Sequence, residues 1–241
     1  MESSNRIAFV TGSGRRLGRQ LAYALADAGY DIILHAHDSV DGMHDAAAQI
    51  RKRGRAVHMV EGDLRQLDDI RRMAKEISGL TGSLNLLVNN AGVFPTASFE
   101  DVTEEIWDLA QDVNLKSYFF MTQALISLLR NAGGSVVNIA SAGGFEPWNN
   151  HIPYNVSKAG VIMLTRALAK ALAPTVRVNA VAPGVILVPG EEVIDHIPAS
   201  RFPMQRYGTP QDLADAVLFM AEGTAYITGH VLPVTGGSVA V

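Results

Sequence analysis

Cysteine is missing from all 241 residues, so disulfides, thiolate metal sites and a cysteine nucleophile are excluded. Histidine occurs seven times but never at metal-ligand spacing, and no metal site is expected. Charge is scarce too: 18% of residues, net −4, with both signs scattered along the chain. That leaves no basic stripe for nucleic acid and no polybasic membrane patch. No apolar run reaches the ~18 residues that suggest a membrane span. The opening Met1–Asn5 is polar and lacks the basic and apolar regions of a signal peptide. A cytoplasmic protein is expected.

What the chain does have is apolar residues, 48% of the total, enough to rule out disorder and to fill one large core. They fall in short runs rich in Val, Ile and Leu: Ile7–Thr11, Ile32–Ala36, Ala56–Glu61, Leu84–Asn89, Ser135–Ile139, Arg177–Val181 and Val231–Val234. Amphipathic helical patterns fill most of the gaps, at Leu17–Ala28, Asp45–Arg53, Leu67–Ser78, Thr103–Ala132 and Tyr154–Leu172. Nearly continuous apolar strands are buried on both faces, and helical crossovers make them parallel. The pattern predicts an α/β, Rossmann-like doubly wound domain over residues 1–241, with a seven-stranded parallel sheet flanked by helices. Val188–Tyr207, with Pro189, Gly190, Pro198 and Pro203, breaks the alternation and is expected to form a substrate flap.

The first strand runs into Thr11-Gly12-Ser13-Gly14-Arg15-Arg16-Leu17-Gly18 and then a helix. Glycines there let backbone approach a pyrophosphate, and the helix N-terminus offers it free N–H groups. The lysine and hydroxyl of a nucleoside-triphosphate loop are absent. Asp63-Leu64 after the third strand, Asn89-Asn90-Ala91-Gly92 after the fourth and Pro183-Gly184-Val185 after the sixth sit at carboxyl ends of strands, where such sheets bind ligands. Asp63 is suited to accept from an adenine amino group. The acid that holds an NAD ribose is replaced by Ala36, followed by His37, Asp38 and Ser39. Arg15 and Arg16 suit a 2′-phosphate, while Asp38 opposes one. NADP(H) is the expected cofactor and NAD(H) stays possible.

Tyr154 and Lys158 are spaced i, i+4 and project from one helix face. A nearby ammonium favours phenolate and makes the tyrosine a usable acid/base. Ser141 after the fifth strand is placed to hydrogen-bond a substrate oxygen. Asn114 is a candidate to hold a water that relays protons to Lys158. Phe94, Phe145, Trp148 and His151 are expected near the cleft, together with Ser141 and Tyr154, and their character suits a flat or apolar small molecule.

The ordered set of motifs resembles the classical short-chain dehydrogenase/reductase family across essentially the whole chain, including Tyr226-Ile227-Thr228-Gly229 and Gly236-Gly237. The resemblance implies a catalytic tetrad of Asn114, Ser141, Tyr154 and Lys158, with Lys158 also on the nicotinamide ribose. It also implies a homodimer or homotetramer built on the long helices and the last strand. Where the family usually has a second glycine this chain has Arg16. Arg-Arg-Leu-Gly and His35-Ala36-His37-Asp38-Ser39 are similar to the pteridine reductase branch, although Asp38 replaces its arginine and Ser141 replaces its aspartate. Val188 stands where the family often has a threonine against the nicotinamide amide, so backbone around Val185–Leu187 would have to substitute. Three functions follow: carbonyl/alcohol hydride transfer, pterin or dihydropteridine reduction, and a non-catalytic dinucleotide-binding redox sensor.

Overall fold

The computed structural model describes residues 6–190 and 197–239. In chain order the elements are β1 (Arg6–Val10), α1 (Arg16–Asp27), β2 (Tyr30–Ala36), α2 (Val40–Lys52), β3 (Val57–Glu61), α3 (Leu67–Leu80) and β4 (Leu86–Asn89). Next come α4 (Glu104–Gln111), α5 (Ser117–Ala124), α6 (Ile126–Ala132), β5 (Ser135–Ile139), α7 (Ile152–Leu172), β6 (Arg177–Pro183), α8 (Pro210–Glu222) and β7 (Val231–Val234). All seven strands are parallel, in the order β3-β2-β1-β4-β5-β6-β7.

Strand periodicity divides the core in two. Ala8, Val10, Ile32, Leu34, Leu86 and Val88 face one side with Leu21 and Leu25 of α1, Ile50 of α2 and Val217 of α8. Their neighbours Phe9, Ile33 and Leu87 face the other side with Ile70, Met73 and Ile77 of α3 and Met121 of α5. Each large side chain buried this way contributes about 1.5–3 kcal/mol, which is why the central strands are apolar at most positions on both faces. The strand order reverses between β1 and β4. Crossovers leave in opposite directions there and open a crevice above the strand ends.

Two helical expectations needed correction. Thr103–Ala132 is not one helix: a π-helical turn, Asp112–Lys116, joins α4 to α5, and Leu125, at φ −100° and ψ 4°, separates α5 from α6. The pattern also continues into α8, which opens on a capping box of Thr209 and Asp212. Of the expected flap, residues 191–196 lie outside the described residues. The rest is anchored by Tyr207 Oη donating to Ile197 O (2.6 Å) and by a bridge pairing Leu187 N–H with Gly208 O (2.9 Å) and Gly208 N–H with Val185 O (3.0 Å). No helix among the described residues is long and apolar enough to cross a membrane.

Candidate active site

The glycine turn follows β1 at the reversal point. Gly12 has φ +65°, and a Cβ there would lie 2.8 Å from Ala91 Cα, so only glycine permits the approach. Asn90 and Ala91 are tied to the turn from the other side. Their N–H groups donate to Thr11 Oγ1 at 2.9 and 3.0 Å, and Asn90 Nδ2 donates to Thr11 O at 2.9 Å. Helix α1 starts with no side-chain cap and no acid in its first turn, so its N–H groups and positive dipole end remain for an anion. This cradle fits a pyrophosphate. Arg15 is exposed, and Arg16 adopts φ +49°. The left-handed backbone accounts for the glycine usual at this position and costs arginine about 1–2 kcal/mol. Arg19, which sequence reasoning passed over, closes the turn by donating to Gly14 O from Nε (3.1 Å) and Nη2 (2.7 Å).

At the adenosine end, buried Ala36 closes β2. His37 Nε2 lies 3.2 Å from Asp38 Oδ1 and 4.0 Å from Asp63 Oδ2. The Asp38 side chain is 78% exposed, and Ser39 precedes α2 without a capping bond. Asp63 is gripped by Arg65, whose Nε lies 3.0 and 2.8 Å from its two oxygens. That hydrogen bonding holds the Asp63 carboxyl below its ordinary range, against an opposing effect of burial. An adenine amino group would share an acceptor already engaged by a guanidinium. Leu64 is buried beside it. The sequence carried no signal for Arg65, because its partner is set by the turn after β3.

The chemical groups come from β5, α7 and the π turn. Ser141 ends the β5 connection and accepts from Gly143 N–H at 3.1 Å. Burial pushes the pKa of the neighbouring Tyr154 phenol up, and Ser141 opposes that push. Lys158 Nζ lies 5.9 Å from the centre of the Tyr154 ring and donates to Ile139 O at 2.8 Å. Burial brings its pKa down to about 7. Tyr118, unforeseen from the sequence, flanks the ammonium on its other side: its hydroxyl is 3.5 Å from Lys158 Nζ and donates to Ala91 O at 3.0 Å. Asn114 lies in the same cluster. Its Oδ1 accepts from Val93 N–H (2.8 Å), and its Nδ2 donates to Val93 O and Ser157 Oγ (3.0 Å each). The π turn aims the amide at both the β4 loop and α7, so the side chain ties Val93 to Ser157 and braces that loop. Gly92 leaves the space between Asn114 and Lys158 open.

Of the expected substrate residues, Phe94, Trp148 and His151 gather around Tyr154. Phe94 stacks on His151 (4.0 Å between centroids) and meets Tyr154 edge to face (4.6 Å), while Trp148 lies parallel to Tyr154 at 6.1 Å. The two loops are joined by Ala97 N–H to Asn150 O (2.9 Å) and by His151 Nδ1 to Pro95 O (3.0 Å). Phe145 differs: it packs on the Tyr118–Val161–Ile162 cluster, because the short 3₁₀ turn after Ser141 swings it inward. At the end of β6, Pro183-Gly184 leads into Val185, Gly184 N–H is paired with Val234 O (3.0 Å), and a Cβ on Gly184 would meet Thr235. Within Val185–Leu187, the Leu187 N–H donates to Gly208 O and the Val185 C=O accepts from Gly208 N–H.

A parallel sheet with a glycine turn at its reversal point and Ser, Tyr and Lys above β5 defines a dinucleotide-type oxidoreductase site. The chain belongs to the short-chain dehydrogenase/reductase family. A family model described as enoyl-(acyl carrier protein) reductase matches residues 12–238. The chain is 33% identical to the 3-oxoacyl-[acyl-carrier-protein] reductase FabG of Staphylococcus epidermidis, covering 97% of this chain and 98% of that one. Identity to the Aquifex aeolicus FabG is 36%, with 96% of each covered. Among solved structures, acetoin dehydrogenase YohF from Salmonella typhimurium superposes with a TM-score of 0.87 at 30% identity, covering 97% of this chain and 95% of that chain.

Proposed function

We propose that this cytoplasmic chain, residues 1–241 forming one dinucleotide-binding and catalytic domain, transfers hydride between NADP(H) and a small carbonyl or alcohol substrate. The observation that carries the reading is the meeting of Ser141, Tyr154 and Lys158 beside the glycine turn, with Ser141 near enough to the phenol to lower its pKa and Lys158 Nζ 5.9 Å from its ring centre. When bound, the nicotinamide supplies the hydride or accepts it. Ser141 takes its acceptor bond from Gly143 N–H and turns its own hydrogen toward the carbonyl oxygen. Tyr154 gives that oxygen its proton. Lys158 stabilises the resulting phenolate and holds the ribose. Asn114, through Val93, keeps the loop that carries Phe94 in place. Tyr154→Phe tests the assignment: turnover is expected to fall by about 10²–10⁴ while NADPH still binds, and near-normal turnover rejects it.

NADP(H) rather than NAD(H) is supported by Ala36 at the end of β2 and by Arg15 and Arg16 in the turn. Titration of both cofactors decides this. The stacked Phe94–His151 pair favours a flat substrate and keeps pterin or dihydropteridine reduction as a second reading. NADPH oxidation with dihydropterins, simple ketones, quinones and 3-oxoacyl thioesters separates the possibilities. Tight cofactor binding without turnover on any of them would leave a redox sensor. We also propose a homodimer or homotetramer, supported by the exposed apolar side chains Trp107, Phe119, Val156 and Met163 on α4, α5 and α7.

A further inference from the structure

His35 is the penultimate residue of β2 and is 2% exposed. Its Nδ1 accepts from Gly12 N–H at 3.0 Å, and its Nε2 lies 3.0 Å from Gly62 O. A carbonyl only accepts, so Nε2 carries the hydrogen and Nδ1 is bare. One neutral tautomer satisfies both contacts. The backbone of the same residue is locked as well: its C=O accepts from Ser13 N–H at 2.8 Å, and its N–H donates to Ser13 Oγ at 2.9 Å. Phe9 closes the pocket edge-on at 6.4 Å.

The two backbone groups that this ring joins belong to different parts of the groove. Gly12 opens the turn cradling the pyrophosphate, and Gly62 immediately precedes Asp63 and Leu64 at the adenosine end. Resting on the cofactor reading above, we infer that His35 is a positioning residue for the dinucleotide: its neutral imidazole sets the spacing between the glycine turn and the Asp63–Leu64 segment, and protonation unlocks that brace. A protonated ring presents two N–H groups, so Nδ1–H meets Gly12 N–H, donor against donor.

The charged groups around the ring are His37 on the loop after β2, Asp63 after β3 and Asp69 on α3. His37 opposes a second positive charge and the two carboxylates favour it. Burial, with His37 acting in the same direction, outweighs the hydrogen bond to Gly62 O and the two carboxylates and holds the pKa at about 4, so the brace is intact at neutral pH and opens in acid.

Glutamine offers one acceptor and one donor at about the same separation as the imidazole nitrogens and does not titrate; leucine offers neither. The test measures NADPH dissociation constants by calorimetry for wild type, His35→Gln and His35→Leu, with kcat at saturating NADPH, and repeats binding with acid-stable NADP⁺ from about pH 7 down to about pH 3.5, below the pKa of the ring. Expected are a loss of affinity of about tenfold or more in His35→Leu, with kcat at saturating cofactor changed far less, and affinity within severalfold of wild type in His35→Gln. As the pH falls, wild type should lose affinity faster than His35→Gln. Equal affinity in wild type and folded His35→Leu overturns the inference. So do parallel pH profiles for wild type and His35→Gln, a comparison that still decides if His35→Leu does not fold. If wild type binds neither NADPH nor NADH at neutral pH, the cofactor reading itself falls, an outcome distinct from failure of the brace.

Discussion

Ser141 Oγ receives a hydrogen bond from Gly143 N–H, which leaves its own hydrogen available to an oxygen beside Tyr154. Ser141→Ala removes that donor; kcat is expected to drop by about 10²–10³ with NADPH affinity unchanged in calorimetry. Protonation decides the direction of reaction. Reduction needs the Tyr154 phenol, which burial favours, and oxidation needs the phenolate. Reduction should therefore hold its rate through neutral pH, while alcohol oxidation rises with pH in steady-state assays. His35 makes a separate contribution to stability. Its folded pKa, about 4, lies below the ordinary value of about 6.5, so between these values the unfolded chain binds a proton that the native chain does not. Stability from this group is full above about pH 6.5, declines as pH falls toward about 4 and is level below that, about 3 kcal/mol in all. The difference between urea-unfolding curves of wild type and His35→Gln across that range should show this slope.

The glycine turn and the π turn place those groups, and each depends on a local geometry that a single substitution breaks. Gly12→Ala puts a Cβ on a residue at φ +65°, 2.8 Å from Ala91 Cα. We expect NADPH binding to be lost by calorimetry in a protein that still folds, since the sheet core is untouched. In the π turn, Asn114→Leu strips Val93 of both its partners. That should cost about 1–3 kcal/mol of stability in chemical unfolding and raise KM by loosening the Phe94 loop. Apolar alternation made the strands legible: Ser135–Ile139 and Val231–Val234 match the sequence pattern residue for residue. The break within 103–132 was not legible, because π and α turns share the same residue types and differ only in how the backbone is paired. Arg16 shows a third case: the missing glycine was plain in the chain, but the positive φ it imposes on arginine belongs to the folded turn.

For the molecule as a whole, the proposed reactive side chains gather above β4 and β5, and α5, α6 and α7 also carry an open groove in which apolar side chains sit with Thr122, Gln123 and Arg130. Phe119, Ile126, Leu168 and Leu172 line a groove of about 250 Å³ there, and Met163 is 61% exposed on the same helix as Leu168. Replacing both Phe119 and Met163 with glutamate should shift sedimentation from the expected oligomer to monomer without altering the far-ultraviolet spectrum. Charges in an apolar contact go unpaired between subunits but are solvated on a free surface.

From the sequence alone came the parallel α/β sheet, the glycine turn and the Ser141, Tyr154 and Lys158 set, because periodicity and short-range spacing are properties of the chain itself. Only the folded structure decided which backbone groups those residues meet. Asn114 is spent on Val93, Asp63 is held by Arg65, Tyr118 reaches Lys158, and His35 joins Gly12 to Gly62. Two of these four pairings, Tyr118 with Lys158 and His35 with its two glycines, link separate parts of the sheet, while Asn114 meets Val93 across the long β4–β5 connection and Asp63 meets Arg65 within the turn after β3. A hydrogen bond is satisfied over about 3 Å, a length that residue order does not encode and that packing of strands and helices sets.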